Sequence, residues 1–117
     1  MTTLKETQEK IAREPQWWKI HLMDFVDSFR YTQDVRALCE PFAWHDERID
    51  ALLASTAEAL CDELKLETPA WLASVAACHE PYFVSGFENL KATALVQSPL
   101  RFRIRKIFVL ENFLSRV

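Results

Sequence analysis

Apolar residues recur along this chain mostly at helical spacing. Trp18, Leu22, Phe25, Val26 and Phe29 follow at i, i+4, i+7, i+8 and i+11. That places them on one face of a helix opening at Pro15 and running to about Tyr31. Ile20 and Met23 fall on the far side, so this helix is expected to be covered on more than one face. Ile49, Leu52, Leu53, Thr56, Leu60 and Leu64 make the cleanest stripe, which predicts a helix over 47–65 with Asp46 as its N-cap. Residues 3–14 are polar and predict a short, loosely held helix. Residues 1–14 are therefore expected to form a loosely packed N-terminal segment, and 15–117 a single helical domain.

The shorter elements follow from punctuation. Residues 33–39 predict a short helix stopped by Pro41, and Phe42-Ala43-Trp44-His45 a loop that pins aromatic rings to the core. Thr68-Pro69 reads as an N-cap with proline at the first helical position, opening a helix of about ten residues that carries Trp71, Leu72, Val75 and Cys78. Pro81-Tyr82-Phe83 breaks it. Ser85-Gly86-Phe87-Glu88 matches the capping-box pattern and opens a helix to about Gln97. After Ser98-Pro99 the signals conflict, because Leu100, Phe102 and Ile104 alternate with Arg101, Arg103 and Arg105 in the period of a strand. A lone strand needs a partner, and the only segments on offer are Tyr82–Val84 and Ile107–Val109. A short helix at 99–105, an extended piece at 107–109 and one or two helical turns at 111–116 are the expectation. The fold class is all-α, a single-domain bundle of about five or six helices that allows a short β pair near the C-terminus.

Composition supports this. Half of the 117 residues are hydrophobic, with eight Phe and four Trp, enough to bury roughly two-thirds of the unfolded surface. One glycine in the chain disfavours a fold built from tight hairpins. No apolar run approaches the roughly 18–20 residues that cross a bilayer, and the N-terminus lacks an apolar signal core. No membrane association is expected, and the expected address is the cytoplasm. Cys39, Cys61 and Cys78 are odd in number and lack CxxC spacing, as befits a reducing compartment.

Charge divides the chain. Residues 1–98 hold nine Lys/Arg against sixteen Asp/Glu, whereas residues 99–117 hold five against one. Arg101, Arg103, Arg105 and Lys106, with Phe102 among them, mark a candidate contact surface. Trp17 lies off its helix's main stripe and is the best candidate for an exposed aromatic at an interface. The bland alternative is that the arginines pair with Asp46, Glu47, Asp50 or other acidic residues of the same fold or of a second copy.

Catalytic signatures are missing from the sequence. There is no G-x-S-x-G, no cysteine-protease signature and no glycine-rich phosphate loop. Asp24/Asp27, Asp46/Asp50 and Glu58/Asp62 share helix faces at i+3 or i+4, which ordinarily means solvated surface. His21, His45 and His79 lack zinc-ligand spacing, and adjacent Cys78 and His79 would point about 100° apart on a helix. The chain is not expected to be an enzyme, and no cofactor or metal is expected.

The second half of the chain carries Pro69-Ala70-Trp71, Glu80-Pro81-Tyr82-Phe83, Leu90-Lys91-Ala92-Thr93-Ala94-Leu95-Val96-Gln97-Ser98-Pro99, Phe102-Arg103-Ile104-Arg105-Lys106-Ile107-Phe108-Val109 and a closing Leu114-Ser115-Arg116. With Phe25-Val26-Asp27-Ser28-Phe29-Arg30 and Leu52-Leu53-Ala54, these residues resemble a small helical domain of uncharacterised bacterial proteins, over about residues 17–117. Such domains look like the partner-binding half of helix-turn-helix, antitoxin-like regulators. The DNA-binding half of that arrangement is missing here, so the resemblance implies neutralisation or adaptor binding. It brings no catalytic residues.

The function expected from sequence is therefore a cytoplasmic protein-interaction module. Its basic C-terminal segment would dock the acidic surface of a protein partner, with Arg101, Arg103 and Arg105 steering and gripping it. Weak, salt-sensitive nucleic-acid binding by the same segment is the alternative, and a small enzyme or metal protein using His45, His79 and Cys78 is a third. A homodimer is compatible with all of them and is the expected state.

Overall fold

The stripe on residues 49–64 becomes the central helix of the molecule. The computed structural model describes residues 1–115. Among them are five α-helices: α1 (Leu4–Arg13), α2 (Trp18–Thr32), α3 (Glu47–Leu64), α4 (Lys91–Gln97) and α5 (Leu100–Arg103). Two short strands, β1 (Tyr82–Phe83) and β2 (Ile107–Phe108), pair in parallel with Tyr82 opposite Ile107 and Phe83 opposite Phe108. The fold is mostly α with one small sheet near the C-terminus, and one hydrophobic core runs through it.

α3 begins where Asp46 caps it, its carboxylate accepting from the Ile49 N–H at 2.9 Å. It ends at Lys65, whose φ of 58° takes the chain out left-handed. Leu52, Leu53, Leu60 and Cys61 are buried along it. α2 supplies Leu22, Phe25, Val26 and Phe29 to the same core, with Phe25 and Phe29 stacked at 5.9 Å. On its far side Met23 is covered whereas Ile20 is exposed.

The N-terminal segment differs from expectation. α1 is capped by a reciprocal Thr3–Glu6 box and packs on α2 and α3. Leu4, Thr7, Gln8 and Ile11 are buried at i, i+3, i+4 and i+7. Two of those four are polar and the segment is polar on average, although Leu4 and Ile11 fall two turns apart on the inward face. Residues 1–14 are thus an integral layer of the fold.

Three shorter elements also differ. The expected ten-residue helix after Pro69 is only a 3-10 turn, Ala70–Ser74, and Val75 is already extended. The Val75 carbonyl, which a longer helix would use, instead accepts from the Arg105 guanidinium, and the Leu72 carbonyl accepts from Arg105 beside the Val75 N–H. The Ser85–Glu88 capping box does not form. Gly86 takes a turn at φ 72°, Phe87 is extended, and a 3-10 turn at Glu88–Leu90 leads into α4. The period-two alternation at 100–105 lies on a helix followed by the left-handed Lys106 (φ 60°). Leu100 and Ile104 share its outer face, while Phe102 and Arg105 turn inward. The helical turns expected at 111–116 appear as turns over 111–114, and Arg116 lies outside the described residues.

Candidate functional site

The basic segment is bonded inward. Arg105 is 3% exposed. Its guanidinium donates through Nη1 to Glu58, itself 3% exposed, through Nη2 to Leu72 O at 2.7 Å and through Nε to Val75 O at 3.2 Å. Arg101 grips Asp62 with two parallel bonds of 2.8 and 3.0 Å and approaches Glu58 at 3.8 Å. Arg103 donates to Ser98 O and Val96 O, closing the end of α4, and Lys106 reaches His79 O at 3.3 Å. Phe102 is fully buried against Phe113. Arg101 and Arg105, one helical turn apart, meet Glu58 and Asp62, also one turn apart on α3. The partners are therefore Glu58 and Asp62, a carboxylate pair read from sequence as a solvated face, and not Asp46, Glu47 or Asp50. These bonds engage Arg101 and Arg105 with carboxylates of the same fold, while Arg103 and Lys106 bond only to carbonyls and stay exposed. Trp17 remains half-exposed at the start of α2.

What the inward bonding does is hold one wall of a cleft. Arg105 is tied to the carbonyls of Leu72 and Val75 in the segment that carries Trp71, Ser74, Val75 and His79. Across from it lies the loop expected to pin aromatic rings to the core. Phe42 does so, but Trp44 is 78% exposed. Between them opens a cleft of about 580 Å³ lined by Phe42, Trp44, Trp71, Glu47, Asp50 and His79, among others. The Trp71 indole N–H donates to Leu38 O at 2.7 Å, which fixes the ring. Phe42 meets Trp71 edge to face, centroids 5.2 Å apart and planes 83° apart, a geometry favoured by ring quadrupoles.

Polar groups enter this apolar cleft from the first turn of α3. Asp50 is 3% exposed. Its Oδ1 accepts from Gln8 Nε2 at 2.7 Å and its Oδ2 from the His45 backbone N–H at 2.8 Å. Gln8 Nε2 also donates to Ala43 O at 2.8 Å, so α1 holds both the floor and the aromatic loop. Glu47 Oε1 receives the His79 backbone N–H at 3.0 Å and contacts His79 Nδ1. The His79 imidazole holds the Glu47 carboxyl below its ordinary range, against a smaller opposing effect of burial.

The other candidate residues do not converge. Ser74 lines the cleft, but its hydroxyl donates to Trp71 O at 2.6 Å and makes no bond to His79. Burial pushes the thiols of Cys61 and Cys78 up, away from the reactive thiolate. Among the described residues no group of three His, Cys, Asp or Glu side chains is placed to hold a metal ion. A second cleft of about 550 Å³, between α2 and the C-terminal segment, has Lys19 as the one charged lining residue among the described residues. No helix among the described residues is long and apolar enough to cross a membrane.

The cleft was not read from sequence. Its residues come from two separate stretches, 41–50 and 71–79, and have no shared periodicity. The available signal was local: two aromatic residues in a loop between Pro41 and the α3 cap, more than one core anchor requires.

Fold and site together define a small, mostly helical protein with an aromatic-walled, acid-floored cleft. Comparison with protein-family models, with curated proteins and with solved structures found no match.

Proposed function

We propose that the protein is a protein-interaction module that docks a segment of its partner in the aromatic cleft, with the basic C-terminal segment bracing the cleft from behind. The observation that carries this is Trp44, a largely exposed indole standing over a concave site whose other aromatic walls are fixed. An apolar cleft with a few convergent polar groups is the usual form of a ligand site. Exposed Trp beside fixed aromatic walls is typical of the anchor region of an interface. Binding is favoured over catalysis because the hydroxyl in the cleft is not bonded to the neighbouring imidazole. A regulatory or antitoxin-like role, as the resemblance implies, would use the cleft to capture the protein being controlled.

The test is selection from a displayed random-peptide library against the purified protein. Enriched peptides should bind Trp44→Ala at least about tenfold more weakly, with the helical circular dichroism unchanged. A library that yields no binders, or binders indifferent to Trp44→Ala, refutes the proposal.

A further inference from the structure

The charge of the occupant can be read from the cleft itself, granted that the cleft is the docking site. We infer that it takes a cationic side chain of the partner segment: a lysine, a methylated lysine or an arginine. Three observations lead there. The first is Asp50. It is almost fully buried, and both its oxygens act as acceptors, the pattern of an ionised carboxylate. Its donors, Gln8 Nε2 and the His45 N–H, are neutral, and none of the ion pairs among the described residues includes it. A buried carboxylate normally has a counter-charge. The positive end of α3 compensates part of this one, and the rest is open to a ligand.

The second is the set of walls. Phe42 and Trp71 stand nearly perpendicular, and Trp44 lies along the same cleft. Aromatic faces around an alkylated ammonium attract it through their quadrupoles, and their apolar surface accommodates the aliphatic stem of a long side chain. The third is that the nearby cations are engaged elsewhere. Arg48 lies over the Tyr82 ring at 5.0 Å, Lys106 reaches the His79 carbonyl, and Arg105 is held by Glu58. Among the described residues no lysine or arginine lines the cleft. His79, the one cleft residue able to carry positive charge, contacts Glu47.

These observations discriminate among occupants. A neutral apolar side chain would remove the remaining water from Asp50 and Glu47 and return nothing to them. An anion would meet two carboxylates. A cation compensates the charge it covers.

Choline and 3,3-dimethylbutan-1-ol are the probes, because they differ by the exchange of a quaternary nitrogen for carbon. Each is titrated into the intact protein while the indole Nε1–H resonances of Trp44 and Trp71 are followed by NMR. Choline should shift both and bind at least about tenfold more tightly than the alcohol, a difference of about 1.4 kcal/mol. Glu47→Gln and, separately, Asp50→Asn should weaken choline severalfold without weakening the alcohol. If Asp50→Asn fails to fold, Glu47→Gln, at the more exposed carboxylate, decides. Equal or tighter binding of the alcohol overturns the cationic assignment and leaves the cleft as a docking site. Failure of both probes to move either indole overturns the assignment and the docking site together.

Discussion

Arg105→Met tests whether the basic segment is interior structure or contact surface. Methionine keeps much of the side-chain length and removes the guanidinium. Three groups then lose a partner at once: the Glu58 carboxylate and the carbonyls of Leu72 and Val75. Glu58, 3% exposed, retains only Arg101, at 3.8 Å. Breaking a buried ion pair from one side costs about 3–5 kcal/mol, because the charge left behind stays desolvated. The bared Val75 carbonyl adds about 1–3 kcal/mol, less whatever entering water recovers, while the Leu72 carbonyl keeps the Val75 N–H at 3.1 Å. A domain of 117 residues has about 6–17 kcal/mol of stability in all, so the variant should lose a large share of it. In a urea titration followed by circular dichroism the midpoint should fall by about 2 M. The double variant Arg105→Met/Glu58→Leu removes the stranded charge and should recover at least about 1 kcal/mol of the loss, since buried pairs replaced by apolar residues are often close to neutral. A single variant within about 0.5 kcal/mol of the parent, the range typical of surface substitutions, would refute this reasoning. It would mean that water already solvates the guanidinium, and the C-terminal segment would again be a candidate docking face.

Leu4→Ala should cost about 2–5 kcal/mol in the same urea assay, as at any fully buried leucine; a loss under about 1 kcal/mol would mean that α1 is loosely held after all. The Glu47–His79 contact should be pH-dependent. The Glu47 carboxyl lies below its ordinary 4.5 in the folded protein, so the contact's contribution is fully present above the unfolded value and is lost as pH falls through the folded one. The gap in urea midpoint between the parent and Glu47→Gln should therefore be open above about pH 4.5 and narrow as pH falls below it; a gap that does not narrow on acidification would contradict the assignment.

The long helices were legible because burial there follows the helical period. The stripes on α2 and α3, and the Asp46 cap, became structure almost residue for residue. What failed to transmit was any element whose carbonyls or inner face bond to distant side chains. Pro69 and the apolar residues after it promise a helix that would be stable on local grounds. The Arg105 guanidinium, 30 and 33 residues away, accepts the role of donor to Val75 O and Leu72 O and ends the helix after one 3-10 turn. Likewise α1 hides its inward face behind Thr7 and Gln8, and Gln8 serves Asp50, 42 residues on. Contacts at such separations leave no trace in a local window. The cleft consists almost wholly of them, which is why its residues were individually visible and collectively missed.

Charge asymmetry between two parts of a chain is ambiguous for a physical reason. An acidic part and a basic part are complementary to each other before they are complementary to anything else, and folding brings them together at an effective concentration no partner can match. Here α3 offers Glu58 and Asp62 one turn apart, and α5 with the turn that follows it answers with Arg101 and Arg105 at the same spacing. Once those cations are engaged, the acidic excess that remains is on the other side of the ledger from the one the sequence advertised. It includes Glu47 and Asp50 in an aromatic cleft that no lysine or arginine among the described residues lines. The net charge of −3 is acidic and the cleft holds two carboxylates, so on the reading proposed above the complementary occupant is a cation. The arginines contribute by holding the Leu72–Val75 wall in place, so Arg105→Met should weaken cleft binding as well as stability, whereas an arginine acting at a docking face would lose binding alone.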